Sequence, residues 1–558
     1  MLVPRFLIVV LFIVISWFAL SSLHSYLDPN TVLSEEEQEE DVWIATSAYW
    51  LDRIACRWVG LCGLAHYRPE PAWQQRKRRN QQSQQTVFAS TGPNGTPAGW
   101  EEAPPNGKLR PGDFDGDDRV LKDVPQFVLD HAPLIYLYSG EQFWPSDIAD
   151  HLRHTVPAVN HTLAKGTTQY GLHNLEKLHN ISNGRHLYMK SVEDVEDRPT
   201  WLGSAYNKPI PYGDEGEDPE EEVDTYTELV EANDAEREVW FDPYTPKKAA
   251  PRTAALGNHH RSLARRSNSF NKPDESGRSS APSVLILVDK GNDILDAFWF
   301  YFYSYNLGTT VLNIRFGNHV GDWEHSLIRF HKGVPKAVFF SAHSGGTAYT
   351  HNSVEKGKGK GREGRPVLYS ALGSHAMYAM PGKHPYVLPF GMLADVTDKG
   401  PLWDPALNYY AYHFNTSLTH DVDAKLFPAT HTHGSLSTQS LRSLEVHRST
   451  DVLTPASHNP DAPTNWFWFK GHWGDKFYEL SDERQWRFAG QYHYVNGPLG
   501  PRYKNLGRSR VCQSGKKCRM LDSIEEGKKS SWISARSLLI PEERLVDVDP
   551  DIEYGDET

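Results

Sequence analysis

The sequence predicts a mainly β protein: an antiparallel β-sandwich, or two packed sandwiches, with a few short helices, preceded by one N-terminal transmembrane helix. Three observations carry that expectation. Short runs rich in Val, Ile, Tyr, Phe and Trp recur between Gly and Pro, long helical periodicity is scarce, and an uncharged apolar run opens the chain. The 558 residues, 39% hydrophobic and 12% aromatic, are ample for a large core. A net charge of −13 argues against nucleic acid as a partner, because phosphate binding needs a basic surface.

The opening run, Phe6 through Leu20, is broken only by Ser16 and matches one membrane pass. A cleaved signal peptide ending near Ala19 to Ser22 is the alternative, and the weak small-residue cleavage pattern favours an uncleaved anchor. Arg5 precedes the run and the acids Glu35, Glu36, Glu37, Glu39, Glu40 and Asp41 follow it, which predicts a type II, single-pass protein of the secretory pathway whose body faces a lumen or the outside. Sequons at Asn94, Asn160, Asn180 and Asn415 are the expected glycosylation sites in that compartment. Four cysteines allow three connectivities. An oxidising lumen and the spacing favour local disulfides, Cys56 to Cys62 and Cys512 to Cys518, over a zinc site, which would use closer pairs.

The expected organisation is an anchor over 1–25, a luminal tether with the first Cys pair over 26–111, a body over 112–510, and a C-terminal segment over 511–558 with the second Cys pair and an acidic tail. Within the body, 213–283 reads as a disordered charged insertion, acidic and then rich in Ser, Arg and Asn. Val124 to Tyr138 reads as extended and broken by prolines, and Ser146 or Asp147 caps a short helix ending near Arg153. Strands are expected at Val284 to Val288, Ile294 to Tyr305, Ser326 to Phe330, Ala337 to Ser341, Val367 to Ala371 and Gln491 to Val495. The acids Asp113, Asp115, Asp117 and Asp118 read as a solvated turn.

The densest polar cluster is Asn318-His-Val-Gly-Asp-Trp-Glu-His325. Strand alternation puts Asp322 and Glu324 on one face, about 7 Å apart, with Trp323 and His325 on the other. Gly321 can accept a bulge or bend that turns His319 onto the acidic face. If Lys332-Gly333 is a two-residue hairpin turn, Asp322 sits opposite His343 and Glu324 opposite Ser341. His319, Asp322, Glu324 and His343 are then candidate ligands for a divalent cation: Mg, Ca or Mn through the oxygens, Zn or Mn if both imidazoles bind. A structural hydrogen-bond network explains the same residues equally well.

Several segments together resemble the vacuolar protein sorting-associated protein 62 family of fungi. They are His131-Ala-Pro-Leu-Ile135 with Phe143-Trp-Pro-Ser-Asp-Ile148, Phe298-Trp-Phe-Tyr-Phe302 with Tyr305-Asn-Leu-Gly308, the His319 to His325 block, Tyr369-Ser-Ala-Leu-Gly-Ser-His-Ala376, and Lys470-Gly-His-Trp-Gly-Asp475. That resemblance implies a role in delivering proteins to the vacuole, with cargo or trafficking machinery as partners, and it transfers no catalytic mechanism. The stretch around Asp322-Trp-Glu324 is also similar to the necrosis-inducing secreted proteins, whose signature G-H-R-H-D-W-E precedes a strand. This second resemblance implies a β-sandwich and ion-holding roles for His319, Asp322 and Glu324, although Asn318, Val320 and Gly321 replace that family's Gly, Arg and second His.

Other motifs have bland readings. Gly373-Ser374-His375 is not the G-x-S-x-G elbow of a serine nucleophile. Trp466, Trp468, Trp473 and Trp486 could stack on sugars, but core packing is the commoner fate of tryptophan. His375, His384, His413 and His472 read as structural polar contacts. The favoured function is a trafficking factor acting by binding without turnover. The alternative is a metal-assisted module for glycans or lipid headgroups, and a metal-dependent hydrolase comes last.

Overall fold

The computed structural model describes residues 35–67, 99–100, 123–164, 170–181, 184–203, 271–311, 314–343, 345–385, 393–415, 452–488, 490–513 and 518–527. The expected anchor over 1–25, the sequon at Asn94, the acidic turn at 113–118, and most of the charged insertion and acidic tail lie outside these residues. No helix among the described residues is long and apolar enough to cross a membrane.

Four short α-helices are described: α1 (Glu35–Ala45), α2 (Trp50–Val59), α3 (Gln126–Asp130) and α4 (Ile148–Arg153). The strands of the two largest sheets are β1 (Leu134–Tyr136), β2 (Ser283–Gly291), β3 (Ile294–Asn306), β4 (His319–His331), β5 (Val334–Ala342), β6 (Gly345–Thr350), β7 (Val367–Ser370), β8 (Met377–Tyr378), β9 (Leu402–Trp403), β10 (Tyr409–Asn415), β11 (Val452–Pro455) and β12 (Met520–Leu521). The main sheet has the order β11-β10-β2-β3-β4-β5-β6-β12, and the smaller one β8-β7-β1-β9.

The core follows from β3. Its run Leu295 to Asn306 is buried at every position, so both faces of the sheet are covered, and both alternating sets are apolar or aromatic apart from Asp296, Ser304 and Asn306. Phe298, Phe300 and Phe302 face one layer with Trp323 and Leu327, while Trp299, Tyr301 and Tyr303 face the other with Ile328 and Phe330. The second face is covered by the smaller sheet through Ile135, Leu368, Met377 and Trp403. The first is covered by α4, by Leu187 and Met189, and by Trp466, Phe467, Phe469 and Trp473. Trp466, Trp473 and Trp486 are thus core residues, as their size favours.

The sheets are mixed where antiparallel pairing was expected throughout. The meander from β2 to β6 is antiparallel, but β10 runs parallel to β2, β12 to β6 and β7 to β1. Each parallel neighbour is distant in sequence, which supplies the crossover length that parallel pairing requires.

The ends of the described chain are docked on this body. Leu61–Cys62 pairs with Arg487–Phe488, and Trp43 packs among Phe477, Leu480 and Tyr492 while its indole N–H donates to the Tyr478 carbonyl at 2.9 Å. Disulfides join Cys56 to Cys62 and Cys512 to Cys518, the second just before β12 enters the main sheet.

Candidate functional site

The polar cluster lies between the main sheet and the smaller one, at the end of β4 nearest the β7–β8 turn. Asp322 and Glu324 pair across the ladder with Tyr303 and Tyr301, and therefore share the face that the smaller sheet covers. Gly321 sits just before them at φ +71°, and a Cβ there would lie 2.1 Å from the Trp473 carbonyl oxygen, so only glycine fits. The β3–β4 register runs through this point unshifted. Gly321 therefore bends the strand without inserting a bulge. The His319 imidazole hydrogen-bonds through Nδ1 to the Gly321 carbonyl at 2.6 Å, in the field of Asp322, His375 and His343. Burial, ahead of these charges, holds its pKa below the usual histidine value.

The hairpin register differs from the expected one. Lys332 and Gly333 form the turn, both with positive φ, and His331 pairs with Val334 and Phe330 with Pro335. Arg329 then pairs with Ala337, so Lys336 is an extra residue that moves β5 by one position. The ladder ends at Ser326 opposite Phe340. Beyond it the Ser341 hydroxyl substitutes for the ladder, accepting from the His325 amide at 2.7 Å and donating to Glu324. His343 is consequently not the strand partner of Asp322. It sits in the β5–β6 turn at φ +55°, where Nε2 pairs with Asp395 at 2.7 Å.

The partner Asp322 does have is His375, whose Nδ1 lies 2.9 Å from Oδ2 with no exposed side-chain surface. Tyr303 stacks flat on that imidazole, ring centroids 3.7 Å apart. On its far side Glu141 Oε1 lies 3.7 Å from Nε2, an ion-pair distance too long for a hydrogen bond. Glu141 is held by the amides of Gln142, Phe143 and Gly373, at 2.7, 2.9 and 2.9 Å. Burial alone would lower the His375 pKa, but the hydrogen bond to Asp322 and the Glu141 carboxylate outweigh it and raise the value to about 9. His343 is likewise raised to about 9, burial being outweighed by the charge and hydrogen bond of Asp395. Glu324 is raised to about 7 by burial and by the neighbouring Asp322 charge.

The arrangement is a network of acids neutralised by imidazolium cations. Asp395 shows its extent: it accepts from Ser374 and Tyr378, at 2.7 Å each, as well as pairing with His343. Ser374 gives its hydroxyl to a carboxylate and not to a histidine, which leaves it without the base a nucleophile needs. The carboxylates beside His343 and His375 favour the protonated form of each imidazole. Among the described residues no three His, Cys, Asp or Glu side chains are grouped so as to hold an ion. His319, Asp322, Glu324 and His343 share one electrostatic neighbourhood, in which His343 is turned towards Asp395 and is not the ladder partner of Asp322. Sequence reasoning missed the central role of His375 because it stands 53 positions from Asp322, with no local pattern linking them.

The class is therefore a large mixed-sheet β protein with a buried acid–imidazole network between two of its layers. Residues 294–409, which contain β3, β4 and the β7–β8 turn, match the family described as vacuolar protein sorting-associated protein 62. The protein of that name from Saccharomyces cerevisiae is 33% identical over 430 residues, which is 73% of this chain and 72% of the yeast protein. The chain belongs to the vacuolar protein sorting-associated protein 62 family. A second protein of the same yeast, TDA6, is 32% identical over 436 residues, 73% of this chain and 72% of its own. Among solved structures, that of the non-toxic HaNLP3 protein is 14% identical over 24% of this chain and 53% of its own, with a TM-score of 0.15, too slight a likeness to carry weight.

Proposed function

We propose that this protein serves vacuolar protein sorting, in the secretory pathway, by binding cargo or trafficking machinery without turnover. The observation that carries the reading is the 33% identity to the yeast vacuolar protein sorting-associated protein 62 across 73% of the chain. The binding-only mechanism draws support from the chemistry of that network: its acids are satisfied by amides, hydroxyls and imidazolium groups within the fold. The test is expression in yeast lacking both relatives, with maturation of a vacuolar hydrolase followed by pulse–chase. Restored maturation supports the proposal, and maturation indistinguishable from that of cells carrying an empty vector rejects it.

One observation favours a second reading, in which a divalent cation joins Asp322, Glu324 and His319 for recognition of glycans or lipid headgroups. Two buried acids stand side by side there, and the His319 Nδ1–Gly321 bond leaves the Nε2 lone pair for a ligand. Elemental analysis of the purified protein, with Glu324→Gln beside the parent, decides it: a stoichiometric ion lost in the variant supports this reading, and an ion-free parent removes it.

A further inference from the structure

Helix α2 is inside out. At about 100° per residue, Trp50, Leu51, Ile54, Trp58 and Val59 fall on one half of its surface, with Asp52 and Cys56 on the other. The polar half faces the body. Asp52 is buried and accepts from the Ser47 hydroxyl and the amides of Gly63 and Leu64, at 2.8 to 2.9 Å, and Cys56 is disulfide-bonded to Cys62. The apolar half faces outward: Trp50 is 61% exposed, Leu51 62% and Val59 60%, and Tyr49, Ile54, Trp58 and Leu64 extend the same exposed surface. Single exposed apolar side chains are ordinary, but a contiguous patch with three aromatic residues, held outward by a disulfide and three hydrogen bonds, needs a partner.

We propose that the apolar face of α2 docks on an uncharged lipid surface and lies in the headgroup region parallel to the membrane. Two facts select lipid over a protein groove. The sequence before α1 contains the apolar run Phe6 to Leu20, and the 14 residues between that run and Glu35 reach at most about 50 Å. A run of that character partitions into lipid, and its connection to α1 keeps α2 within reach of the same surface. The composition of the face also fits: Trp and Tyr concentrate at the membrane interface, where ring and polar edge meet both phases. Charge selects the kind of lipid. Asp41 is paired with Arg57 of α2 and Glu40 with Arg487, but Glu35, Glu36, Glu37 and Glu39 keep α1, which packs beside α2, acidic, so anionic headgroups would be repelled and phosphatidylcholine is the fitting class. This docking is independent of whether the opening run spans the bilayer.

The experiment uses the full chain with Ile54→Cys, which introduces one reactive thiol because all four native cysteines are in disulfides. A polarity-sensitive dye is attached there and, as control, at Val334→Cys on the β4–β5 hairpin, a site 52% exposed. With phosphatidylcholine vesicles, the dye at position 54 is expected to shift to the blue and to be quenched roughly threefold more than the control by lipids carrying a nitroxide near the headgroup. Leu51→Glu should abolish both signals. Water-like emission at position 54 on a chain that floats with the vesicles overturns the proposal, as does a blue shift that survives Leu51→Glu. A shift already present without lipid also overturns it: loss of that shift on deleting residues 1–24 would assign the face to the chain's own apolar run, and loss on dilution to a second copy.

Discussion

Asp322 on β4 and His375 in the β7–β8 turn meet at 2.9 Å in the interior, and through them the main sheet is tied to the sheet that covers it. The His375 side chain has no exposed surface and that of Asp322 only 8%. Asp322→Asn leaves His375 only the longer Glu141 contact, and His375→Gln leaves Asp322 without its buried cation, so the two are expected to cost up to about 3–5 kcal/mol of unfolding free energy, the first less than the second. The double variant should cost clearly less than the sum, since the second change removes the stranded charge. Urea unfolding of the four proteins measures this, and strict additivity would show that the pair is not coupled.

The histidines predict a stability optimum near pH 6.5 to 7. Burial lowers His151 and His493 to about 3 and His472 to about 4, so as pH falls below 6.5 the unfolded chain takes up protons that the native one refuses. Each such group removes about 1 kcal/mol per pH unit on that side, with Glu324, raised to about 7, opposing one of them. On the alkaline side the sign reverses. His375, raised to about 9, gives a contribution that is complete below 6.5 and disappears as pH rises through 9. Melting temperature measured from pH 5 to 9.5 should pass through a maximum, and His375→Gln should make the alkaline limb shallower without removing it, because His343, also raised to about 9, keeps its share.

Gly321 is expected to tolerate no side chain. Its φ of +71° is costly for any other residue, and a Cβ would stand 2.1 Å from the Trp473 carbonyl oxygen, which is backbone and cannot rotate away. Gly321→Ala should destabilise by at least about 2 kcal/mol through strain and overlap combined. Gly333→Ala serves as comparison: its φ is similarly positive, but its nearest neighbour is the Phe127 ring at 3.3 Å, so the loss there should be smaller.

What could be read from the sequence was what local chemistry determines. The aromatic run Phe298 to Tyr303 announced a strand, and a strand buried on both faces has no polar alternation to hide it. Asp147 caps α4 through the Ala149 amide because a short acid before a helical turn has few better partners. The Lys332-Gly333 turn was legible for the same reason. The expected β4–β5 register departs from the structure at one residue: Lys336 bulges, nothing in Pro335-Lys-Ala337 signals it, and a single added position takes His343 out of register with Asp322 and into a turn. His375 and Glu141 reach Asp322 only through packing of distant segments, for which no spacing rule exists. Val124 to Tyr138, read as extended, contains the turn-and-a-half of α3 because Pro125 suits the position before a helix as well as it suits a break.

Trp43 is the expected hinge of N-terminal docking. It is 4% exposed, its ring meets Phe477 and Tyr492 edge-on, the Arg487 guanidinium lies 5.1 Å above it, and its N–H donates to Tyr478. The rest of that interface comprises the two-residue Leu61–Cys62 ladder, the His66 contact with the Gln485 carbonyl at 2.6 Å and the Tyr67 ring against Trp486 and Phe488, while the Arg487–Glu40 ion pair is half in water and contributes little. Trp43→Ala should remove about 3–5 kcal/mol from docking. The consequence is local, since β2 to β6 do not touch this tryptophan's cluster. Hydrogen exchange should show α1 and α2 opening in the variant while the amides of β3 and β4 keep their protection, and equal loss of protection in β3 would mean that the N-terminal helices are integral to the body.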